Sequence, residues 1–273
     1  MVLSGMKDVF LAELLFVAKE IQDVKEKNME KISNIYNFLK EKAPLELCES
    51  WDNSGMLINT NSETDKVLLT LDVTDEVINE AIQKECQLII SHHPIIFKPL
   101  KSLSSNDIVF KLIKNNISVI SMHTNLDATE NGVNDVLAQT LGLKNIEIFA
   151  NIGRKGEIEV TSVKDFADKV AKILNTKLKY TLPEKEIKSI AVIGGSAGGY
   201  WKNALIEGVD LFLTGEASHH DALDAIHENM PIIIAGHWNT EVIILKSLKK
   251  ELETKFSNIA FIISSQKDPF EYI

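Results

Sequence analysis

Histidine and carboxylate are the residue types in this chain whose spacing could do chemistry. Residues 88–97 read LIISHHPIIF, an apolar run that ends on two adjacent histidines and a proline. That pattern predicts a buried strand delivering His92 and His93 to a loop. Successive strand side chains point to opposite faces, so the pair serves two neighbouring ions more easily than one. The alternative is a strand end with two solvated histidines. His123 closes a second β-branched run, and Asp127 follows four residues later. His237 and Glu241 are also four apart, which lets both face one point if a helix runs through them. Imidazole nitrogens and carboxylate oxygens with no cysteine nearby suit Zn, Mn, Fe, Co or Ni.

Other clusters carry polar groups. Trp51-Asp52-Asn53-Ser54-Gly55 is turn-forming, and its Asp and Asn can simply bond their own backbone. Gly194-Gly195-Ser196-Ala197-Gly198-Gly199 follows a predicted strand and precedes a helical segment, a place where backbone amides can meet a phosphate. It lacks the lysine of a P-loop and the glycine spacing of a dinucleotide loop. Glu216, His219 and His220 fall at another strand end, where open α/β sheets line their ligand crevice. A helix start capped by Ser218 is the alternative reading there.

The elements that must position these groups alternate. Lys66–Asp72, Cys86–Ser91 and Ile117–Met122 read as strands, with helices over Thr74–Lys84, Asp107–Lys114 and Asn134–Leu141. The pattern restarts near Ile146, with strands at Glu157–Val160, Leu178–Tyr180, Ser189–Ile193, Val209–Leu213, Ile232–Ala235 and Asn258–Ser264. Helices are predicted over Val163–Leu174, Ser218–Glu228 and Thr240–Glu253. This alternation predicts an α/β fold with parallel strands, in two units of similar size and no flexible linker. Ahead of them, Val9 to about Lys27 suits an amphipathic helix, and Glu30–Lys42 a second. The first run is too short for a membrane span and lacks the features of a secretory signal.

At 273 residues, with 45% hydrophobic and 25% charged side chains, the composition is that of a soluble globular protein. A net charge of −10 argues against non-specific nucleic-acid binding and against an anionic membrane surface. It leaves room for a nucleotide in a local metal-lined cleft. Cys48 and Cys86, outside any CxxC pair, read as buried structural thiols in a reducing, cytoplasmic compartment.

WDNSG (51–55), SHHPIIFKPLKSL (91–103), HTNLDATENGVNDVLA (123–138), GGSAGG (194–199), TGEASHHDALDA (214–225) and GHWNTE (236–241) occur in that order. Together they resemble the GTP cyclohydrolase 1 type 2 homologue family, also described as Ngg-interacting-factor-like proteins. The resemblance runs from about residue 29 to the C-terminus. It implies two related, interwoven α/β domains, 29–125 plus 236–273 and 126–235, behind an N-terminal helical extension of 1–28. Residues 150–188 leave no room for an inserted domain, so the compact form is expected. Two divalent metal ions per chain are implied on His92, His93, Asp127, His237 and Glu241. Glu241 bridges them, with His93 and Asp127 on one ion and His92 and His237 on the other. A homohexamer around a cavity is implied as well.

The activity behind the family's name is ring-opening hydrolysis of GTP, in which a metal-activated water attacks C8 of the purine. Hydrolysis of another nucleotide, or a non-enzymatic role in metal binding or partner docking, would use the same ligands. His123 is the candidate proton-transfer residue, or else an orienting neighbour of a ligand. Trp51, Asp52, Lys98, Glu216, His219 and His220 are the candidates for binding a small-molecule substrate. Glu216 in place of the family's usual aspartate, and GGSAGG in place of GGSG, spare the implied ligands.

Overall fold

Strands buried on both faces read as unbroken apolar runs, and the chain folds around two groups of them. The computed structural model describes residues 29–60 and 62–271. Its main strands are β1 (Gly55–Ile58), β2 (Lys66–Thr70), β3 (Leu88–Ser91), β4 (Ser118–Ser121), β5 (Lys144–Phe149), β6 (Gly153–Ser162), β7 (Lys179–Tyr180), β8 (Glu186–Ile193), β9 (Leu211–Thr214), β10 (Ile232–Ile234) and β11 (Ala260–Ile263). Hydrogen bonding orders one sheet β11-β2-β3-β4-β1 and the other β5-β6-β8-β9-β10-β7. Parallel pairing holds from β11 through β4, and again from β8 through β10. At the margins β1, β5, β6 and β7 run antiparallel to their neighbours. The expectation of parallel strands therefore holds in the middle of each sheet and out to the β11 edge of the first, and fails at the other margins. The margins include the β5–β6 hairpin, which needs no helical crossover.

The helices are α1 (Ile32–Lys42), α2 (Asp75–Gln83), α3 (Ile108–Lys114), α4 (Thr124–Ala128), α5 (Val133–Leu141), α6 (Val163–Ile173), α7 (Trp201–Ile206), α8 (His219–His227), α9 (His237–Glu241) and α10 (Ile244–Lys255). Thr74 caps α2 by accepting from the Val77 amide, and Ser218 with Asp221 forms a capping box on α8. Side chains alternate across each sheet as the pleat requires. Val67, Leu69, Ile90 and Ile120 face one apolar layer, and Leu68, Ile89 and Val119 the other. Val192 and Leu213 are likewise opposed to Ala191 and Phe212 in the second sheet. Helix α5 joins the two bodies, because Val133 packs in the first sheet's core while Leu137, Ala138 and Leu141 pack in the second's.

Several elements differ from the sequence reading. Helix α1 starts at Ile32 rather than Glu30, since Glu30 and Lys31 pair with Thr64 and Glu63 as a short ribbon. Strands β1 and β5 carry no long apolar run, and the sequence reading misses them. The helix expected over Thr240–Glu253 is divided into α9 and α10, and α9 begins at His237. The helix read from Val9 to Lys27 lies outside the described residues. No helix among the described residues is long and apolar enough to cross a membrane.

Candidate metal centre

The parallel strands of both sheets end at one place. Beyond β3 the ladder continues, with His92 N donating to Thr70 O (3.1 Å) and His93 N to Leu71 O (2.9 Å). Met122 N donates to Ser91 O (2.9 Å) in the same way beyond β4. In the second sheet Ala235 N reaches Thr214 O (2.9 Å) and Glu216 N reaches Gly195 O (2.8 Å). The loops that carry the polar residues are thus extensions of the sheets, which fixes their position. One-turn helices α4 and α9 start at these ends and bring in Asp127 and Glu241.

All five residues named as ligands converge, and His123 joins them. Glu241 lies at the middle: its Oε2 is 3.2 Å from both His93 Nε2 and His237 Nε2, and its Oε1 is 3.8 Å from His92 Nε2. His92 Nε2 is also 3.6 Å from Asp127 Oδ1. The nearest approaches therefore group His92 with Asp127 and His93 with His237. The resemblance implied His93 and Asp127 on one ion and His92 and His237 on the other; strand alternation turns His92 into the buried interior and His93 toward His237. Ligand atoms of His92, His93 and His123, and of His93, His237 and Glu241, lie close enough together (within 4.8 Å) for each group to hold a metal ion.

Every converging ring has its outer nitrogen near an oxygen. His92 Nδ1 meets Met122 O (2.8 Å), His93 Nδ1 meets Asp72 Oδ1 (2.7 Å) and His123 Nδ1 meets Asp52 Oδ1 (2.8 Å). His237 Nδ1 lies 3.4 Å from Glu216 Oε1. With protons on the outer nitrogens, the inner Nε2 atoms are bare lone pairs, as metal ligation requires. Two of them, on His93 and His237, then face each other at 3.3 Å. In that neutral state neither can donate to the other, and either a cation between them or a proton on one ring relieves the repulsion. His92 Nε2 and Glu241 Oε2 are buried with no hydrogen-bond partner. These orphaned acceptors fit a divalent ion.

Electrostatics shows what takes the place of a cation when none is bound. Burial alone would lower His93, but Asp72 and Glu241 outweigh it and push its pKa up to about 10. His92 and His237 are raised for the same reason, burial being overcome by Asp127 and Glu241 for the first and chiefly by Glu241 for the second. Burial would raise Glu241, yet the surrounding histidines hold it well below the usual carboxylate range. Burial pushes the Asp127 carboxyl up despite His92 beside it. The cluster holds protons tightly, and a metal cation would compete for the same places.

The remaining candidates are dispersed. The Asp52 side chain is buried although the residue is only half-buried, and its carboxylate accepts from His123, Ser54 Oγ (2.9 Å), Thr124 N (3.1 Å) and Thr124 Oγ1 (2.6 Å). Trp51 is exposed, with its ring edge-on to His123 at 5.9 Å. Lys98 is exposed, as are His219 and His220 at the start of α8. Glu216 lines a crevice of about 920 Å³ that opens beside His93 and His237, bordered also by Lys179, Ser196, Ser218 and Phe270. Sequence reasoning missed Asp72, and it read Gly195 only as part of a loop whose amides could meet a phosphate. Asp72 stands just past β2 as a polar residue at a strand end, the same signal that marked the histidines. A Cβ on Gly195 would lie 2.2 Å from Glu241 Oε1, and the residue has φ +63°. The glycine-rich loop thus gives the Glu241 carboxylate its space.

The chain resembles known proteins along most of its length. The profile of the Duf34/NIF3 (NGG1p interacting factor 3) family matches residues 30–269. A GTP cyclohydrolase 1 type 2 homolog of Clostridium acetobutylicum is 34% identical over 264 residues, spanning 89% of this chain and 98% of that protein. One from Campylobacter jejuni is 37% identical over 255 residues, spanning 89% and 99%. One from Staphylococcus aureus, 30% identical and spanning 89% of this chain and all (100%) of its own length, aligns over 366 residues and so carries segments that this chain lacks. The crystal structure of a Staphylococcus aureus protein superposes with a TM-score of 0.84 at 34% identity, covering 89% of this chain and 99% of the other.

Proposed function

This chain belongs to the Duf34/NIF3 family, and on that premise we propose that its converging histidines and carboxylates hold two divalent metal ions. One would be held by His92, Asp127 and Glu241 in the buried interior, the other by His93, His237 and Glu241 where the crevice opens. The observation that carries this reading is the pair of buried, unpartnered acceptors, His92 Nε2 and Glu241 Oε2. An imidazole and carboxylate donor set suits Zn, Mn, Fe, Co or Ni. Such ions, when bound, polarise a substrate and lower the pKa of a water.

The chain's own residues supply the rest. The crevice is of the size that takes a nucleotide-sized molecule, and its opening beside His93 and His237 presents that molecule to the more accessible position. His123, whose Nδ1 is held by Asp52, offers Nε2 for proton transfer at the centre. The reading is a metal-dependent hydrolase of GTP or another nucleotide. One observation favours the alternative of a metal-binding or partner-docking protein: Asp72, Glu216, Asp221, Asp268 and Glu271 in the crevice outnumber Lys177 and Lys179. A polyphosphate would meet net negative charge there unless both ions were present.

Elemental analysis of the purified, reconstituted protein should find about two divalent ions per chain, in line with a two-metal site. Glu241→Gln should lose most metal at both positions, since a neutral amide does not bridge two cations. Unchanged metal content in that variant would remove the bridging role, and a wild type without metal would remove the centre. A fully metallated protein that turns over nothing in a broad nucleotide panel would leave the binding-protein reading in the lead.

A further inference from the structure

We propose that Gln266 is a positioning residue for the centre: its carboxamide fixes the Asp72 carboxylate, which aims the His93 ring. The inference rests on the metal-centre reading and adds a residue far away in sequence. Asp72 Oδ1 accepts a hydrogen bond from His93 Nδ1, but the side chain is 44% exposed and stands past the end of β2. Left alone, such a carboxylate would rotate and exchange its partner for water. Its other oxygen, Oδ2, accepts from Gln266 Nε2 at 3.2 Å. Gln266 Oε1 in turn accepts from the Asp72 backbone N–H (3.1 Å) and from Thr70 Oγ1 (2.7 Å). The backbone donor determines the amide's orientation: Oε1 must face it, so the NH₂ group faces Asp72.

The segment that carries Gln266 is itself anchored. Ser264 N donates to Leu69 O (2.8 Å), extending the pairing of β11 with β2. Ser265 N and Oγ both donate to Glu80 Oε2 on α2, at 2.9 and 2.8 Å. Gln266 is thus held between a sheet and a helix, and it passes that rigidity to Asp72. A glutamate there would lose the donor and set a like charge against Asp72. Beyond Gln266 the chain continues past Pro269 and Phe270 along the crevice. The segment that steadies His93 also borders the space for a ligand.

The test uses the full chain and Co(II), whose visible spectrum reports ligand geometry. Asp72→Asn should weaken Co(II) binding by roughly 10–100-fold, as loss of an outer partner of a ligand histidine does, and Gln266→Ala should weaken it in the same direction by no more than that and shift the spectrum of the saturated protein. Gln266→Glu should weaken binding at least as much. Because Gln266 acts through Asp72, adding Gln266→Ala to Asp72→Asn should cause no further loss. Ser265→Ala, which keeps the backbone bond to Glu80 and every bond of Gln266 itself, should shift the saturated spectrum less than Gln266→Ala does. Additive losses in the double variant, equal spectral shifts in Ser265→Ala, or a lower melting temperature with unchanged Co(II) affinity in Gln266→Ala would each overturn the proposal. A wild type that binds no Co(II) would overturn the metal-centre reading and this inference with it. A loaded wild type indistinguishable from Gln266→Ala overturns only this inference.

Discussion

Asp52 and His123 are separated by 71 positions in the chain and form one unit at the lip of the centre. Burial would raise the Asp52 carboxyl, but the bonds from His123 and Thr124 hold it far below the usual carboxylate range. A depressed folded-state pKa stabilises above the unfolded value, about 3.9, and the contribution is lost as pH falls through the folded one. The stability difference between wild type and Asp52→Asn should therefore be constant above about pH 5 and shrink in acid below about pH 4. Denaturant melts of both proteins across that range check this. His123→Ala separates two roles. Proton transfer predicts turnover lower by roughly 10²–10⁴-fold with metal retained, whereas an orienting role predicts metal binding weaker by roughly 10–100-fold. Cys86 is buried, and its thiol is pushed up to about 11. It should therefore resist a thiol reagent at pH 8 until the protein unfolds.

At the scale of elements, the loop after β8 and the helix α9 depend on each other for space. Gly195→Ala forces a Cβ into the Glu241 carboxylate and demands a positive φ of a residue that avoids it. Metal content should collapse in that variant, measured by elemental analysis. Gly199→Ala in the same loop meets nothing within 4 Å and should keep its metal. A second dependence ties β6 to the turn that carries Asp127. Arg154 is 4% exposed and pairs with Asp135, and its guanidinium donates to Ala128 O (2.8 Å) and Thr129 O (2.9 Å). Arg154→Met leaves a buried carboxylate and carbonyl oxygens without donors, which should cost about 3–5 kcal/mol in unfolding free energy. Equilibrium denaturation measures it directly.

At the scale of the whole molecule, the centre exists only because two sheets point their strand ends at each other. Helix α5 and the junction between α9 and α10 hold that arrangement, since Ile243 packs in one core and Ile244 in the other. The family match begins at residue 30, so a chain starting at Met29 should keep its metal and a cooperative melt. Insolubility of that shortened chain would show that residues 1–28 complete a core. The homohexamer is a proposal drawn from the family resemblance. Sedimentation at micromolar concentration should find an assembly, and a stable monomer would remove the enclosed cavity.

The converging histidines and carboxylates stood out as candidates in the sequence because an apolar run ending in histidine marks both a buried strand and its polar end. His92-His93, His123, Asp127 and the His237–Glu241 pair lie at or just after such ends, while their assignment as one ligand set came from the family resemblance. Their grouping was not legible. It depends on how far one sheet is rotated against the other, which is set by packing across α5 and α9. The partners one layer out were hidden for the same reason. Asp72 and Gln266 are 194 positions apart, and no local pattern links an aspartate after one strand to an amide beyond another. Gly195 belonged to a visible motif whose purpose only the folded structure decided: the loop after β8 leaves room for a carboxylate that arrives on α9, after another strand of the same sheet.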